Sequence, residues 1–242
     1  MIMDVLTEEI LISGAAELGV NLEQNEVILF AQYMDLLLEW NQKMNLTAIR
    51  TPGEIVVKHF LDSIAVLPHL TSGENTKVLD IGTGAGFPGV PMKIIKPNMV
   101  MVLLDSLGKR ITFLDALIME LGLTGITTLL GRAEDLARTQ GYRESFDVVT
   151  SRAVAKLSVL SELCLPFLKI GGLFVAYKGP KTGEELPEAQ KALAILGGRL
   201  AKVVEINLPG TIEKRNLVFI EKHRSTPEKY PRKAGTPEKK PL

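Results

Sequence analysis

The 242-residue sequence has one cysteine, Cys164, which excludes an internal disulfide and a cysteine-built zinc cluster. It has three histidines, His59, His69 and His223, and no metal centre is expected from so few. Aromatic residues make up 5% of the chain, too few for a broad base-stacking platform. No apolar run approaches the roughly 20 residues of a membrane-spanning helix. The start, Met1 to Glu9, carries Asp4, Glu8 and Glu9 and has no basic stretch ahead of an apolar one. No secretory signal is therefore expected, and the predicted location is the cytoplasm, away from membranes. Net charge is also absent, with 28 cations against 28 anions. That balance hides an asymmetry. Residues 1–70 hold ten carboxylates against Lys43, Arg50 and Lys58, whereas the last stretch holds Lys222, Arg224, Lys229, Arg232, Lys233, Lys239 and Lys240 against Glu228 and Glu238. A neutral total does not exclude a polyanionic partner. The two ends also read simply as solvated surface.

With 46% hydrophobic and 23% charged residues, the chain is ordinary globular material, and its length suits one domain with an appendage. Residues 1–72 read as helical. Val27, Phe30, Ala31, Met34, Leu37 and Leu38 recur at helical spacing, and Thr51-Pro52-Gly53-Glu54 carries a helix-start signature before Ile55, Val56, Phe60, Ile64 and Leu67. From residue 73 to 224, short apolar runs alternate with helical stretches. The predicted strands are Lys77–Ile81, Met99–Leu104, Ile126–Leu130, Phe146–Thr150, Leu173–Tyr177, Arg199–Ile206 and Asn216–Glu221. The predicted helices are Pro88–Ile95, Leu107–Leu121, Ala133–Arg138, Val154–Leu168 and Gly183–Leu196. Such alternation predicts an α/β fold with a mostly parallel, seven-stranded sheet. The last two strands share only a short connector at Pro209-Gly210, so they pair antiparallel. This order of elements is that of the Rossmann-like methyltransferase sheet. Residues 225–242, rich in Pro and Lys, read as an extended basic tail.

The most informative stretch is Val78-Leu79-Asp80-Ile81-Gly82-Thr83-Gly84-Ala85-Gly86-Phe87-Pro88-Gly89. A buried strand runs into glycines, which permit positive φ and close ligand approach, and then into a helix. Two registers compete. Gly84 to Gly89 matches the dinucleotide pattern G-x-G-x-x-G. Asp80, Gly82, Gly84 and Gly86 at alternate positions match the first motif of S-adenosylmethionine methyltransferases. The second fits better, because Gly82 directly follows the strand and Pro88 removes an N–H that a pyrophosphate would want. A carboxylate at Asp80 would also suit a cationic ligand. Asp105, after the second strand, is placed to accept both ribose hydroxyls of an adenosine, whichever cofactor carries it. It also suits the N-cap of the next helix, as does Ser106. Gly131-Arg132-Ala133-Glu134-Asp135 lies where methyltransferases meet adenine, and reads equally as a plain helix start.

The chain resembles the bacterial GidB family of small-subunit ribosomal RNA methyltransferases. The resemblance runs through Asn45-Leu46-Thr47, His59-Phe60-Leu61-Asp62-Ser63 and the glycine stretch. It continues through Ser151-Arg152-Ala153-Val154-Ala155, Tyr177-Lys178-Gly179 and Lys229-Tyr230-Pro231-Arg232-Lys233-Ala234-Gly235-Thr236-Pro237. It implies a class I Rossmann-like methyltransferase with an N-terminal helical extension, S-adenosyl-L-methionine as cofactor, and guanine-N7 of 16S ribosomal RNA, free or in the 30S subunit, as target. It implies cofactor contacts from Gly82, Phe87, Asp105, Ser106, Leu107, Ala133, Glu134 and Arg152, joined by Asp80, Gly84 and Gly86 of the motif. It places Asn45, Thr47, His59, Asp62 and Lys178 near the same pocket. Guanine-N7 carries a free lone pair, so the reaction needs positioning and electrostatics, not a base, and the sequence shows no Ser or Cys nucleophile motif.

Arg152 suits a donor to the target base or a stack on it, or else a salt bridge to Asp80 or Glu134. Lys178 suits a phosphate contact, or only a snorkel from a strand end. His59 and Asp62, one helical turn apart, suggest a fixed imidazole. Asn45 and Thr47 either close over the cofactor or cap a helix. Lys109, Arg110, Lys214, Arg215, Arg232 and Lys233 are expected to bind RNA phosphates, and the protein is expected to be a monomer. Without the resemblance, the same residues also suit a methyltransferase for another substrate, a NAD-dependent oxidoreductase, or an RNA-binding module that has lost catalysis.

Overall fold

A computed structural model describes residues 3–71, 73–152, 155–180 and 182–242. Ser72 at the expected domain boundary, and Ala153 and Val154, where a motif continues and a helix was expected to begin, lie outside the described residues.

Helix α1 (Val5–Glu17) starts on Asp4, whose carboxylate accepts the Thr7 N–H at 2.8 Å. Helix α2 (Gln24–Met44) opens on a reciprocal capping box between Glu23 and Glu26. It ends on Asn45 in the left-handed conformation (φ 50°), which an asparagine tolerates better than most residues. Its buried stripe, Val27, Phe30, Tyr33, Met34, Leu37 and Asn41, has helical spacing. Each large apolar side chain buried there contributes about 1.5–3 kcal/mol. The next helical stretch is α3 (Pro52–Ile55), a π-helical segment (Val56–Leu61) and α4 (Asp62–Ile64).

The sheet contains β1 (Lys77–Ile81), β2 (Val100–Asp105), β3 (Ile126–Leu130), β4 (Phe146–Ser151), β5 (Leu168–Lys178), β6 (Gly198–Asn207) and β7 (Lys214–Lys222). Their order is β3-β2-β1-β4-β5-β7-β6, with β7 antiparallel to both its neighbours. Connecting helices are α5 (Gly89–Ile95), α6 (Gly108–Glu120), α7 (Ala133–Leu136), α8 (Leu157–Cys164) and α9 (Thr182–Leu196), with α10 (Thr236–Lys239) near the end. Among the described residues no helix is long and apolar enough to cross a membrane.

Adjacent residues of each central strand feed opposite cores. Val78, Leu103, Val148 and Val175 pack on the α1–α6 side, and Leu79, Leu104, Val149 and Phe174 on the α7–α9 side. The first core runs without a break from Leu11 and Phe30 to Phe219. The N-terminal helices thus share one continuous core with this face of the sheet.

The largest differences from the expected boundaries lie at the junction of α8 and β5 and in the tail. The helix expected to reach Leu168 stops at Cys164, passes through a 3-10 turn (Leu165–Phe167), and Leu168 already begins β5. That strand is eleven residues long because Gly171 (φ 83°) sits where its pairing with β4 shifts register. The tail is not extended. Thr226, Tyr230, Pro231 and Pro237 are buried in it. Arg143 donates to the carbonyls of Thr226 and Tyr230, and Arg232 forks onto Glu162.

Candidate active site

The chain winds outward from β1 through β2 to β3, then returns to β4 on the other flank of β1. Ligands of such sheets bind at this reversal, beyond the carboxyl ends of the strands. The glycine turn lies there. Gly82, Gly84 and Gly86 have φ of 70°, 62° and 98°. A Cβ on Gly86 would stand 2.7 Å from the Tyr33 hydroxyl and 2.8 Å from Val90. A Cβ on Gly84 would meet nothing nearer than 4.0 Å. The turn is thus closely packed beneath and open above.

Asp80 is not in that crevice. It is fully buried and braces the turn from below, with Oδ2 accepting the Gly89 N–H at 3.0 Å and Oδ1 accepting the Thr150 hydroxyl at 3.1 Å. It therefore shapes the loop and does not face a cationic ligand. It also occupies the first N–H of α5, which a pyrophosphate would need, and so removes the physical basis of the dinucleotide register. Burial pushes its pKa up to about 6 from 3.8. Between these values the folded protein holds a proton that the unfolded chain has released, so stability falls as pH rises through that window. Asp80→Asn keeps an acceptor and a donor in place without the charge. Relative to wild type it is expected to gain on the order of 2–3 kcal/mol between pH 4 and pH 7. Parallel denaturant midpoints across that range for the two proteins would refute this.

Asp105 closes the crevice. Oδ2 accepts the Gly84 N–H and Oδ1 the Leu107 N–H, both at 3.0 Å. Arg110 lies 3.0 Å from Oδ2. Asp105 thus holds the glycine turn and the residue before α6, but it is not the helix cap: Leu107 occupies that position without a side-chain cap bond. Arg110, expected on an RNA path, is instead paired inside the crevice. Beside Asp105, Leu107 and Leu130 are 43% and 55% exposed, a large apolar surface next to a carboxylate. Ser106 is exposed, and Ala133 is buried in the core on the α7–α9 side of the sheet. Glu134 accepts the Gly235 N–H of the tail at 2.9 Å.

A cavity of about 780 Å³ opens at the ends of β4, β5 and β7. Arg152, Lys178, His59 and Asp62 all line it, together with Arg215. Phe87, buried in the glycine turn, packs against two of these lining residues. The His59 ring stacks on Phe87 at 4.4 Å, the Tyr33 ring at 5.3 Å, and the Arg152 guanidinium lies 4.9 Å from the Phe87 centroid. Arg152 donates to Asp62 Oδ2 at 3.0 Å and to the Lys58 carbonyl at 3.1 Å, and meets His59 Nδ1 at 3.2 Å. Its salt bridge is therefore to Asp62, not to Asp80 or Glu134. The imidazole is fixed, but by Thr47 and Arg152 rather than by Asp62. Since a guanidinium only donates, Nδ1 is the acceptor and Nε2 carries the proton toward Thr47 Oγ1 at 2.8 Å. Burial, followed by the charge of Arg152, lowers the His59 pKa to about 3, so the ring is neutral near pH 7.

Lys178 is buried and tied to the Ala155 carbonyl and Glu185, each at 2.7 Å. It braces the cavity wall and is not free for a phosphate. Asn45 has an exposed side chain and serves as the left-handed cap of α2, the capping alternative. Of the expected RNA contacts, Arg232 is paired with buried Glu162 and Arg215 faces the cavity beside Asp62 at 3.6 Å. Lys214 pairs with Glu205 on the surface, Lys109 reaches the Met44 carbonyl, and Lys233 is exposed. Sequence reasoning missed Tyr33, whose hydroxyl donates to the Ala85 carbonyl and buttresses the glycine turn. Its one signal was a polar-tipped ring on the apolar stripe of α2.

The sheet order with β7 inserted, the glycine turn after β1 and the carboxylate after β2 define an S-adenosylmethionine-dependent methyltransferase of the Rossmann-like class. The same fold is found in the structure of a SAM-dependent methyltransferase from Aquifex aeolicus, with TM-score 0.55 and 18% identity, covering 73% of this chain and 97% of that one. The chain belongs to the GidB family, described as rRNA small subunit methyltransferase G, whose model matches residues 26–218. Relatives named ribosomal RNA small subunit methyltransferase G include one from Acetivibrio thermocellus, 50% identical over 97% of this chain and 96% of its own length. Another, from Lactobacillus johnsonii, is 49% identical over 98% of this chain and all of its own.

Proposed function

We propose that this enzyme methylates N7 of a guanine in 16S ribosomal RNA by direct displacement. The observation that carries this reading is the cavity whose His59 and Arg152 pack on Phe87 of the glycine turn. Its wall is cationic, and its one imidazole is held neutral with its acceptor nitrogen already bonded.

The crevice residues fit the methyl donor. Gly84 leaves room above the turn, Asp105 offers a carboxylate to ribose once Arg110 yields it, and Leu107 and Leu130 offer an apolar flank for adenine. When bound, the donor supplies a methyl group activated on a sulfonium. The N7 lone pair forms the new bond to carbon, and the departing sulfur keeps the old bonding pair. No proton moves, and the product base is cationic. The chain's own residues therefore position the two partners. Arg152 is the donor best placed for the guanine oxygen beside N7. Lys109, Lys214 and Lys233 supply phosphate contacts, and the substrate is the free RNA or the 30S subunit.

The test is transfer of labelled methyl from S-adenosylmethionine to 30S subunits and to protein-free 16S RNA, followed by borohydride and aniline treatment, which cleaves the chain at 7-methylguanine. Cleavage at one guanine that also carries the label is expected. Label at another atom, or none on either RNA, would refute the reading.

A further inference from the structure

One buried polar atom in the cavity has no partner. Asp62 is 4% exposed and its Oδ2 takes Arg152, but Oδ1 accepts no hydrogen bond. The Arg215 Nε is 3.6 Å away, close enough for charge attraction but beyond hydrogen-bond length. A buried carboxylate oxygen left without a donor carries a desolvation penalty, so its retention in a ligand cavity calls for an explanation. The neighbours sharpen this. Arg152, Arg215, Lys58 and Lys178 present only donors to the cavity. His59 has used its acceptor nitrogen on Arg152, and Glu185 Oε2 takes both Lys178 and the Leu157 N–H on a side chain that is partly exposed to water. Among these lining groups, the side-chain acceptor that is buried from water and still without a hydrogen bond is Asp62 Oδ1.

We propose that Asp62 Oδ1 is the group that selects guanine, by accepting a hydrogen bond from the 2-amino group of the target base. This rests on the guanine-N7 reading above. In guanine, N7 and the 2-amino group lie at opposite ends of the purine. A base with N7 toward the glycine turn directs its amino group away from it. Asp62 is placed accordingly, since Arg152 stands between it and Phe87 of that turn. Adenine and hypoxanthine have no donor at position 2, so either would leave Oδ1 buried and unpaired. A site built to bond a substrate group rejects analogues that lack it far more strongly than a pocket that only excludes bulk.

The test uses the full-length enzyme and, once the methylated guanine is mapped, small-subunit RNA ligated to carry guanine or inosine there. Inosine keeps N7 and the 6-oxygen and lacks only the amino group. Wild type is expected to prefer guanine over inosine in kcat/KM by about tenfold to a hundredfold. In Asp62→Asn the amide oxygen must face the Arg152 donor, which turns the NH2 toward the base. This variant is expected to lose that preference, with S-adenosylmethionine affinity within about twofold of wild type because Arg152 keeps its partner. If Asp62 merely holds Arg152, or donates as a protonated acid, Asp62→Asn lowers both rates equally or neither and keeps the ratio. That result would overturn the proposal. An equal rate of wild type on the two RNAs would also overturn it, even if the variant fails to fold. Wild type that methylates neither RNA at N7 would instead refute the underlying reading.

Discussion

Arg232→Ala is expected to lower the unfolding free energy by about 3–5 kcal/mol. Glu162 has no exposed surface, and its two oxygens receive the Arg232 guanidinium at 2.6–3.1 Å and the Arg232 backbone N–H at 2.7 Å. Removing the guanidinium leaves a carboxylate in an apolar layer beneath the tail, held by one amide. Removing both charges at once, as in Glu162→Met with Arg232→Leu, is expected to restore most of the loss, because replacing a whole buried pair by apolar groups is often neutral. Urea denaturation of the two variants measures this. A change below about 1 kcal/mol for Arg232→Ala would show that water reaches Glu162 and that the pair is an ordinary surface contact. Deleting residues 225–242 should be still more damaging, since it also strips Tyr230 from the core and Thr226 from Glu144. The tail is therefore an unsuitable place to separate RNA binding from folding.

Arg152→Leu is expected to lower kcat/KM for methyl transfer by about 10²–10³, the usual loss on deleting a charge-stabilising donor. Three neighbours depend on this guanidinium: Asp62, the Lys58 carbonyl and His59 Nδ1. Its plane also covers Phe87. Arg152→Lys should recover little, because an ammonium at the end of a flexible stem cannot make these contacts and keep the planar face at once. Single-turnover rates at saturating S-adenosylmethionine separate this effect from donor binding. Activity of Arg152→Lys within threefold of wild type would mean that only a positive charge is required there.

The sheet was readable because the central strands are largely buried on both faces, so each carries a short apolar run, such as Val78-Leu79, Met101–Leu104 or Phe174–Tyr177. The start of β5 was hidden for the opposite reason: Lys169, Ile170 and Gly171 are exposed, and the paired glycines look like a turn. The glycine turn and Asp105 were also readable, since a positive φ next to a ligand almost demands glycine. Partnerships were not. The pairing of His59 with Asp62 assumed 3.6 residues per turn, and the π-helical Val56–Leu61 removes that assumption. Arg152 and Asp62 meet across ninety residues, and Arg232 and Glu162 across seventy. No spacing rule reaches that far, so three of the cations expected to meet RNA, Arg110, Arg215 and Arg232, lie instead beside buried carboxylates. Asp80 shows the same limit. Its place in the motif was plain, but only the fold reveals that its carboxylate points inward.

The central claim is that this site works by placing and polarising two partners, with no proton passed to any side chain. The most direct measurement is the single-turnover rate of methyl transfer from pH 6.5 to 9, at saturating S-adenosylmethionine and RNA. With His59 held neutral by burial and by Arg152, and with guanine-N7 unprotonated throughout, the rate is expected to be flat over this range. A tenfold rise per pH unit that levels off near neutrality, and that disappears in His59→Gln, would show a proton acceptor at work and contradict the account.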